Sequence, residues 1–369
     1  MLVELATRLD RSRFEPFVCC MKPRPGDHEH SFVAQLTEAD IPIEFADISS
    51  QISMPLGLWR LRNVFKNRKP DICQSFLFHA NLFSRLAAKA AGVPVVISGV
   101  RVAEKEKKWH LRLDCMTQSL VDQYICVSQD VAEFTAQTGR IPLQKITVIP
   151  NGIDVADYEN AQKSDLTQFG CLPYTRKVIV IGRLHRQKGI DWLLQTLPNW
   201  LEFRNDCELL IVGDGPERAV LEQTAAQQPW RNRIHFLGHR RDIPELLAAS
   251  ELLLLPSRWE GMPNVVMQAM AAGLPVVATH VEGIDELLVQ QSATSGGDPT
   301  ALPQICRFGD TDDFTTKINR LLDDENLHRI TRIQNKEYIR QNFRIEKMIN
   351  EYEQLWLSFF EKQSGATTP

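Results

Sequence analysis

Short runs of apolar and β-branched residues alternate with longer amphipathic stretches almost from the start of this chain. Apolar residues spaced three and four apart predict helices in the longer stretches, and the compact apolar runs predict buried strands. Strands and helices in repeated alternation are typical of a parallel sheet flanked by helices. The strands predicted in the first half are residues 17–21, 71–75, 93–98, 123–128 and 146–150.

The same alternation restarts after a turn cluster, Pro150-Asn151-Gly152-Ile153-Asp154. The strands predicted beyond it are residues 177–182, 208–213, 233–238, 252–256 and 275–279. A surface loop is predicted for residues 291–303, which are rich in Ser, Gly, Thr and Pro. A chain of 369 residues exceeds one compact core, so we expect two α/β domains. Their expected bounds are 1–154 and 155–344, and a helix within 345–369 is expected to pack back on the first domain.

The start of the chain departs from this alternation. Leu2, Leu5, Ala6 and Leu9 have helical spacing, and no strand precedes them. In a doubly wound sheet the first strand is central, and the loop after it is a preferred ligand site. We therefore expect an N-terminal domain without its first strand, through either a misplaced start or a real loss.

Composition and charge exclude several classes of protein. With 43% hydrophobic and 24% charged residues the chain is an ordinary globular protein. It contains neither a long uncharged apolar stretch nor the zones of a signal peptide, which predicts a cytoplasmic protein. The net charge of −4 divides into +2 for residues 1–155 and −6 for the rest, and a nucleic-acid partner is not expected. The eight cysteines form no CxxC pair, so we expect buried thiols and neither a metal nor a disulfide framework.

The most informative stretch is a predicted buried strand that runs into Gly182-Arg-Leu-His-Arg-Gln-Lys-Gly189. Arg183 and Lys188 follow the carboxyl end of that strand, where open α/β sheets bind ligands. Two cations at this edge suit a diphosphate. The alternative is a solvated basic loop.

Two further loops follow predicted strands in the same half. One contains Gly213 and Gly215, whose missing side chains permit close backbone approach, although such turns also occur for purely conformational reasons. The other runs from Ser257 to a helix predicted to start near Pro263. Amides at that helix start can bind phosphate oxygens, and Glu260 can accept hydrogen bonds from sugar hydroxyls. A lone Glu-Gly pair can also be only a turn, but three such loops at one sheet edge favour a binding site.

These segments together resemble a known family. GRLHRQKG, GDGPER, FLGHRRDIPELLAASELLLLPS and EGMPNVVMQAMAAGLPVVAT, in this order, closely resemble glycosyltransferase family 4, the retaining, bacterial-type group 1 glycosyltransferases. The first half resembles the family more loosely, through ATRLDRSRFEP, RKPDICQSFLFHANLFSRLAAKAAGVP, VSQDVAEF and VIPNGID. The resemblance implies the GT-B fold, which has two facing Rossmann-like, doubly wound domains and a C-terminal crossover helix.

The resemblance also implies roles for individual residues. Arg183 and Lys188 would hold the donor diphosphate and stabilise the leaving group without an obligatory metal, and Glu260 would contact the donor sugar. The second glutamate of the family motif is Gln268 here, which can still bind a ribose hydroxyl but has lost the charge. The full set of donor-binding candidates is Gly182, Gly213, Gly215, Gly261, Met262, Pro263, Asn264 and Gln268.

Candidates in the first half are fewer. A histidine that the family often has after the strand at 93–98 is absent, and Val100 and Arg101 occupy that region. Arg101 is therefore a candidate for acceptor or donor contact, with a surface arginine as the alternative. His79 is another candidate, although a lone histidine is commonly structural. Residues 105–112 mix basic side chains with Trp109, which is typical of a solvated helix face or of a peripheral contact with an anionic membrane.

The expected reaction is transfer of a hexosyl unit from a UDP- or GDP-sugar to a glycan, lipid-linked or small-molecule acceptor, with retention of configuration. No cofactor is expected. Glycans of the cell surface or envelope are the products that the family resemblance implies. A catalytically weak or inactive sugar-nucleotide binding protein is the main alternative, motivated by Gln268 and the missing strand. A sugar-nucleotide epimerase is a third possibility, but it requires acid and base groups that the sequence does not reveal.

Overall fold

The computed structural model describes residues 1–26, 32–50, 53–196, 198–288 and 304–364. The loop predicted at 291–303 lies outside these residues. Two compact units are present, one formed by Met1–Gly152 with Glu346–Pro369 and the other by Ile153–Ile345.

The first unit contains two parallel sheets. Its elements are α1 (Leu2–Arg8), β1 (Val18–Cys20), α2 (Phe32–Glu38), β2 (Ile43–Phe45), α3 (Met54–Arg68), β3 (Ile72–Phe76), α4 (Phe78–Ala91), β4 (Val95–Val100), α5 (Lys108–Thr117), β5 (Gln123–Cys126), α6 (Gln129–Gln137) and β6 (Ile146–Val148). The last helix, α16 (Ile345–Ser364), also belongs to the first unit, except for its first residue, Ile345, which is the last residue of the second unit. β1 pairs only with β2, and a separate sheet has the order β3-β4-β5-β6. Among the described residues, no strand pairs with the second edge of β1 or of β3.

Apolar side chains cover both faces of the β1–β2 sheet. Val18 packs with α1 and α2 through Val3, Ala6 and Leu36. On the opposite face, Phe17, Cys19 and Met21 pack on a cluster that also contains Cys73 of β3 and side chains of α3 and α4. One helical layer therefore lies against both sheets of this unit.

α16 packs on the first unit through its buried face. Phe14 contacts the ring of Trp356 at 5.7 Å, and Phe76 contacts Tyr352 at 6.4 Å. The Glu353 carboxylate accepts the Asp10 N–H at 2.8 Å. The aromatic spacing along this helix thus serves docking, as the sequence pattern predicts.

The second unit has one parallel sheet of order β12-β11-β10-β7-β8-β9. Its elements are α7 (Ala156–Glu159), β7 (Arg176–Ile181), α8 (Ile190–Thr196), α9 (Pro198–Leu201), β8 (Cys207–Val212), α10 (Arg218–Ala226), β9 (Ile234–Gly238), α11 (Ile243–Ala248), β10 (Leu252–Leu255), α12 (Asn264–Ala271), β11 (Val276–Thr279), α13 (Ile284–Leu288), β12 (Ile305–Cys306), α14 (Thr311–Asp323) and α15 (Glu325–Asn342). The central strands β7, β8, β10 and β11 are mainly apolar and almost wholly buried, since helices cover both of their faces.

Candidate functional site

Three loops at the carboxyl edge of the second sheet contact one another. The 182–189 loop follows β7, the 213–217 loop follows β8, and the 256–263 loop follows β10. Leu184 N–H donates to the Asp214 carbonyl at 3.0 Å, and Glu217 N–H donates to the Leu184 carbonyl at 3.1 Å. Arg258 N–H donates to the Gln187 carbonyl at 2.8 Å. The three loops predicted to form a site are therefore joined by backbone hydrogen bonds.

Glycines allow this close approach. Gly213 has φ +135°, and a Cβ there would lie 1.9 Å from the Gly182 carbonyl oxygen. Gly189 has φ +65°, and a Cβ there would lie 1.8 Å from the Pro256 carbonyl oxygen. Neither contact leaves room for a side chain, so both glycines are required by loop packing. The donor-binding role of Gly213 stays a prediction.

Lys188 and Glu260 form the centre of the site. The Lys188 Nζ lies 2.6 Å from Glu260 Oε1, which also accepts the Ser257 hydroxyl at 2.7 Å. Glu260 is only 6% exposed. A buried carboxylate with a cation and a hydroxyl as partners is held in one orientation. The structure thus places a cation and an anion side by side at the edge where a sugar diphosphate was predicted to bind.

Arg183 lies on the same loop but stands apart from this pair. Its side chain is exposed, and it forms no ion pair with any residue that the structure describes. An exposed guanidinium without an ion-pair partner remains available for a bidentate contact with phosphate. Its catalytic role stays a prediction, as do those of Lys188 and Glu260.

Glu282 joins the site although the sequence analysis overlooked it. Its Oε2 accepts the Glu260 N–H at 3.1 Å, and Gly283 packs so closely that a Cβ there would lie 2.3 Å from the Gly261 carbonyl oxygen. Both residues follow the carboxyl end of β11, the same position that identified the other loops. An acidic residue just after a predicted strand was therefore the signal that could have found Glu282.

The start of α12 completes the site. The helix begins at Asn264, as predicted, and Pro263 at its N-cap position provides no side-chain hydrogen bond. Gly261, Met262 and Pro263 are buried, and Asn264 is exposed. Gln268 lies one turn into the helix and is half-buried. The helix start is thus a candidate for phosphate binding, and Gln268 a candidate for the nucleoside.

An ion pair braces the 256–263 loop against α8. Arg258 binds the Asp191 carboxylate through two contacts of 2.7 and 2.8 Å. Burial alone raises the pKa of Asp191. The hydrogen bonds and charge of Arg258, together with two backbone N–H donors, outweigh burial, so the pKa falls below its ordinary value of 3.8. The pair therefore contributes stability above that value, and this stability is lost as the pH falls through the folded-state pKa.

Asp191→Asn is expected to reduce this pH dependence. The thermal unfolding midpoint should drop more on substitution at about pH 7 than at about pH 3, because protonation of the carboxylate in the unfolded chain removes part of the contribution of Asp191 at the lower pH. Asp71→Asn is the matched control, since Asp71 is exposed and has no side-chain partner among the described residues. Equal losses at both pH values would contradict an electrostatic contribution from Asp191.

Comparison with known proteins places the chain in a family. Residues 1–157 match the family model described as Glycosyltransferase Family 4, and residues 175–324 match the one described as Glycosyl transferases group 1. The chain is a group 1, family 4 glycosyltransferase. Both halves of the sequence resemblance are thereby confirmed.

Individual relatives agree with this family. An Escherichia coli UDP-Gal:alpha-D-GlcNAc-diphosphoundecaprenol alpha-1,3-galactosyltransferase is 27% identical over 82% of this chain and 79% of its own length. A Bacillus anthracis N-acetyl-alpha-D-glucosaminyl L-malate synthase is 32% identical over 58% of this chain and 54% of its own length. Anabaena HepE, solved in complex with UDP and glucose, has a TM-score of 0.81 and 21% identity, covering 97% of this chain and 95% of its own. The glycosyltransferase has the GT-B fold, as predicted.

His79 of the glycosyltransferase belongs to an aromatic group rather than to an isolated position. It is exposed near the start of α4, with its ring 5.2 Å from Phe78 and 5.6 Å from His110. His110 stacks on Phe78 at 3.6 Å, and burial lowers its pKa. Trp109 contacts the same Phe78 ring edge-on at 5.3 Å. This group holds the N-terminal part of α5 against α4.

Arg101 of the glycosyltransferase points into the first unit. Burial lowers its pKa, and the side chain hydrogen-bonds Tyr352 of α16 and contacts the Met1 sulfur. The structure thus shows that Arg101 helps to hold α16 and is not a free surface arginine, and its contact with acceptor or donor stays a prediction.

The cysteines are free thiols. Cys19, Cys20 and Cys115 are half-buried, and the others are buried. Among the described residues, Cys171, Glu208 and His235 have potential metal-ligand atoms within 4.8 Å of one another. Glu208, however, accepts from Lys177, Thr175 and the Leu172 N–H, and burial raises the pKa of Cys171 to about 11. A thiol held protonated and a carboxylate already bound by an ammonium make a poor metal site.

Across the described residues, every helix is too short or too polar to span a lipid bilayer.

Proposed function

We propose that this glycosyltransferase moves a hexosyl unit, with galactose as the first candidate, from a UDP-sugar to a sugar linked to a lipid diphosphate. The similar Escherichia coli enzyme, named for UDP-galactose and a diphosphoundecaprenol acceptor, supports this choice because the match extends over most of both chains. The proposal favours uracil over guanine as the base of the donor nucleotide. The configuration at the sugar C1 is retained.

The ion pair between the half-buried Lys188 and the buried Glu260 is the observation that supports this chemistry most. During transfer, the bond from C1 to the diphosphate oxygen breaks and negative charge grows on the diphosphate. The Lys188 ammonium has three N–H donors, and only one is required by Glu260. The others can stabilise the departing charge, which is the largest contribution expected in such a site.

Glu260 is suited to hold a donor-sugar hydroxyl rather than to attack C1. Lys188 and Ser257 already engage its Oε1 atom. The acceptor hydroxyl oxygen therefore forms the new bond to C1 directly. The proton of that hydroxyl passes to the diphosphate of the departing UDP. No covalent intermediate on the protein is involved.

A donor screen tests the proposal. The purified chain is mixed with UDP-galactose, UDP-glucose, UDP-N-acetylglucosamine or GDP-mannose and a sugar-diphospholipid acceptor, and nucleotide release and product linkage are followed. Acceptor-dependent release of UDP from UDP-galactose, with an α-linked product, is the expected result. Preferential use of GDP-mannose would overturn the choice of base. Tight binding of UDP-sugars without turnover would instead support a sugar-nucleotide binding protein.

Gln268→Glu is expected to strengthen UDP binding about fivefold, because a carboxylate makes stronger hydrogen bonds to ribose hydroxyls than an amide does. Isothermal titration with UDP measures the change. Gln223→Glu on α10 is the matched control, since Gln223 is exposed and adds the same charge outside the site. Equal effects of the two substitutions would contradict a contact between Gln268 and the nucleoside.

The proposed place of action is the cytoplasmic face of a membrane. Trp109 is half-exposed beside basic residues of the 105–112 segment, which suits peripheral contact with anionic lipid.

A further inference from the structure

A groove lies between α5 and α6 of the first unit and is not part of the donor site. Its volume is about 770 Å³, within the range of small-molecule sites. Leu111, Cys115, Met116 and Phe134 form its apolar walls, and Arg112 and Arg140 stand beside them. All of these residues belong to the first unit.

The direction of the two helices gives the groove its shape. Both helices connect parallel strands of the sheet, so each runs from the carboxyl edge of that sheet back toward its amino edge. α5 has ten residues and is therefore about 15 Å long. The groove is lined by Leu111, Arg112, Cys115 and Met116 of α5 and by residues in and just after α6.

The walls are more exposed than apolar walls usually are. Met116 is 76% exposed, and Leu111, Cys115 and Phe134 are all half-buried. Single exposed apolar residues are ordinary, but several around one groove are typical of a binding surface. The flexible thioether of Met116 can adapt to an apolar chain of variable shape.

The charged side chains beside the apolar walls of the groove favour an anionic ligand. Arg112 and Arg140 form neither an ion pair nor a side-chain hydrogen bond with any residue that the structure describes. The nearby Glu104 carboxylate accepts the amides of Glu106 and Lys107 and lies 3.5 Å from His110 Nδ1, and it forms no ion pair with either arginine among the described residues. Unpaired guanidinium groups bind phosphate oxygens through two parallel hydrogen bonds.

We propose that this groove binds the apolar chain and the diphosphate of an isoprenoid diphosphate, and so holds the lipid part of the acceptor. The inference rests on the proposed function, because it assigns a site to the lipid acceptor named there. The apolar walls take the chain, and Arg112 and Arg140 take the diphosphate.

The test is a binding measurement that does not depend on turnover. Farnesyl diphosphate is titrated into the purified full chain by calorimetry, with excess UDP present to occupy the donor site. Inorganic diphosphate and farnesol are titrated separately as head and tail alone. Farnesyl diphosphate should bind at least about tenfold more tightly than either.

The variants identify the groove. Arg112→Ala with Arg140→Ala is expected to weaken farnesyl diphosphate binding at least about tenfold, since charged hydrogen bonds to phosphate are lost. Met116→Glu should weaken it comparably by placing a negative charge on the wall. Arg11→Ala is the matched control, because Arg11 is exposed and unpaired among the described residues but lies outside the groove. Circular dichroism confirms that each variant is folded.

Two results would overturn the inference. One is equal binding of farnesyl diphosphate by the groove variants and by Arg11→Ala. The other is inorganic diphosphate binding as tightly as farnesyl diphosphate. That result would show that the farnesyl group contributes nothing to the affinity. Because binding is measured without transfer, failure of the donor screen would leave this result unaffected, and the two proposals can fail separately.

Discussion

Lys188→Ala is expected to lower kcat/KM for the UDP-sugar by about two to three orders of magnitude. Removing one positioned donor from developing negative charge typically has an effect of this size. Most of the loss should appear in kcat, because the charge on the diphosphate grows only as the sugar leaves. Steady-state rates of UDP release measure both constants. Lys66→Ala is the matched control, since Lys66 is exposed on α3 and has no partner among the described residues.

Loss of Lys188 also leaves the buried Glu260 without its cation, so stability must be separated from catalysis. The double variant Lys188→Ala with Glu260→Gln removes the unpaired charge and should recover much of the lost thermal stability. Activity should stay low in the double variant. Recovery of activity together with stability would show that Lys188 acts only as a structural partner of Glu260.

Gly189→Ala is expected to lower the free energy of unfolding of the second unit by about 3 kcal/mol. The left-handed backbone at Gly189 disfavours a Cβ by about 1–2 kcal/mol, and the overlap with the Pro256 carbonyl adds about 1–3 kcal/mol. The loops must then separate, so UDP binding should weaken as well. Urea unfolding followed by circular dichroism measures the stability, and calorimetry measures the UDP affinity.

Gly309→Ala separates the two causes, because it lies in the same unit and also has a positive φ, of +93°, but a Cβ there would meet nothing within 4 Å. It should lower the free energy of unfolding by only about 1 kcal/mol and leave UDP affinity unchanged. Equal destabilisation by the two substitutions would show that backbone conformation, not the contact between the loops, sets the requirement for glycine.

The strand pattern of this chain was readable because parallel strands are buried on both faces. Every run predicted as a strand coincides with an observed strand, from β1 to β11 with the exception of β2. β2 was missed although β1 and β6 are equally short, because Glu44 interrupts its apolar run, and β12 has only two residues. The three loops of the donor site were found by the rule that ligands bind at the carboxyl ends of such strands.

Pairwise contacts were less predictable than positions. The sequence identified Lys188 and Glu260 separately, but 72 residues separate them and only folding shows that they form a 2.6 Å ion pair. Arg101 was ambiguous because its partner, Tyr352, comes from a helix at the far end of the chain. The groove between α5 and α6 requires the packing of two helices and has no local sequence signature.

The division of the first unit into two sheets affects how that unit holds together. No backbone hydrogen bonds link β1 to β3 among the described residues, so the β1–β2 sheet is joined to the rest of its unit mainly by side-chain packing on the shared helical layer. Packing without a continuous hydrogen-bonded ladder gives weaker cooperativity between neighbouring parts. The segment from α1 to β2 is therefore the part of this unit that should open first, as a local unit, while β3 to β6 remain folded.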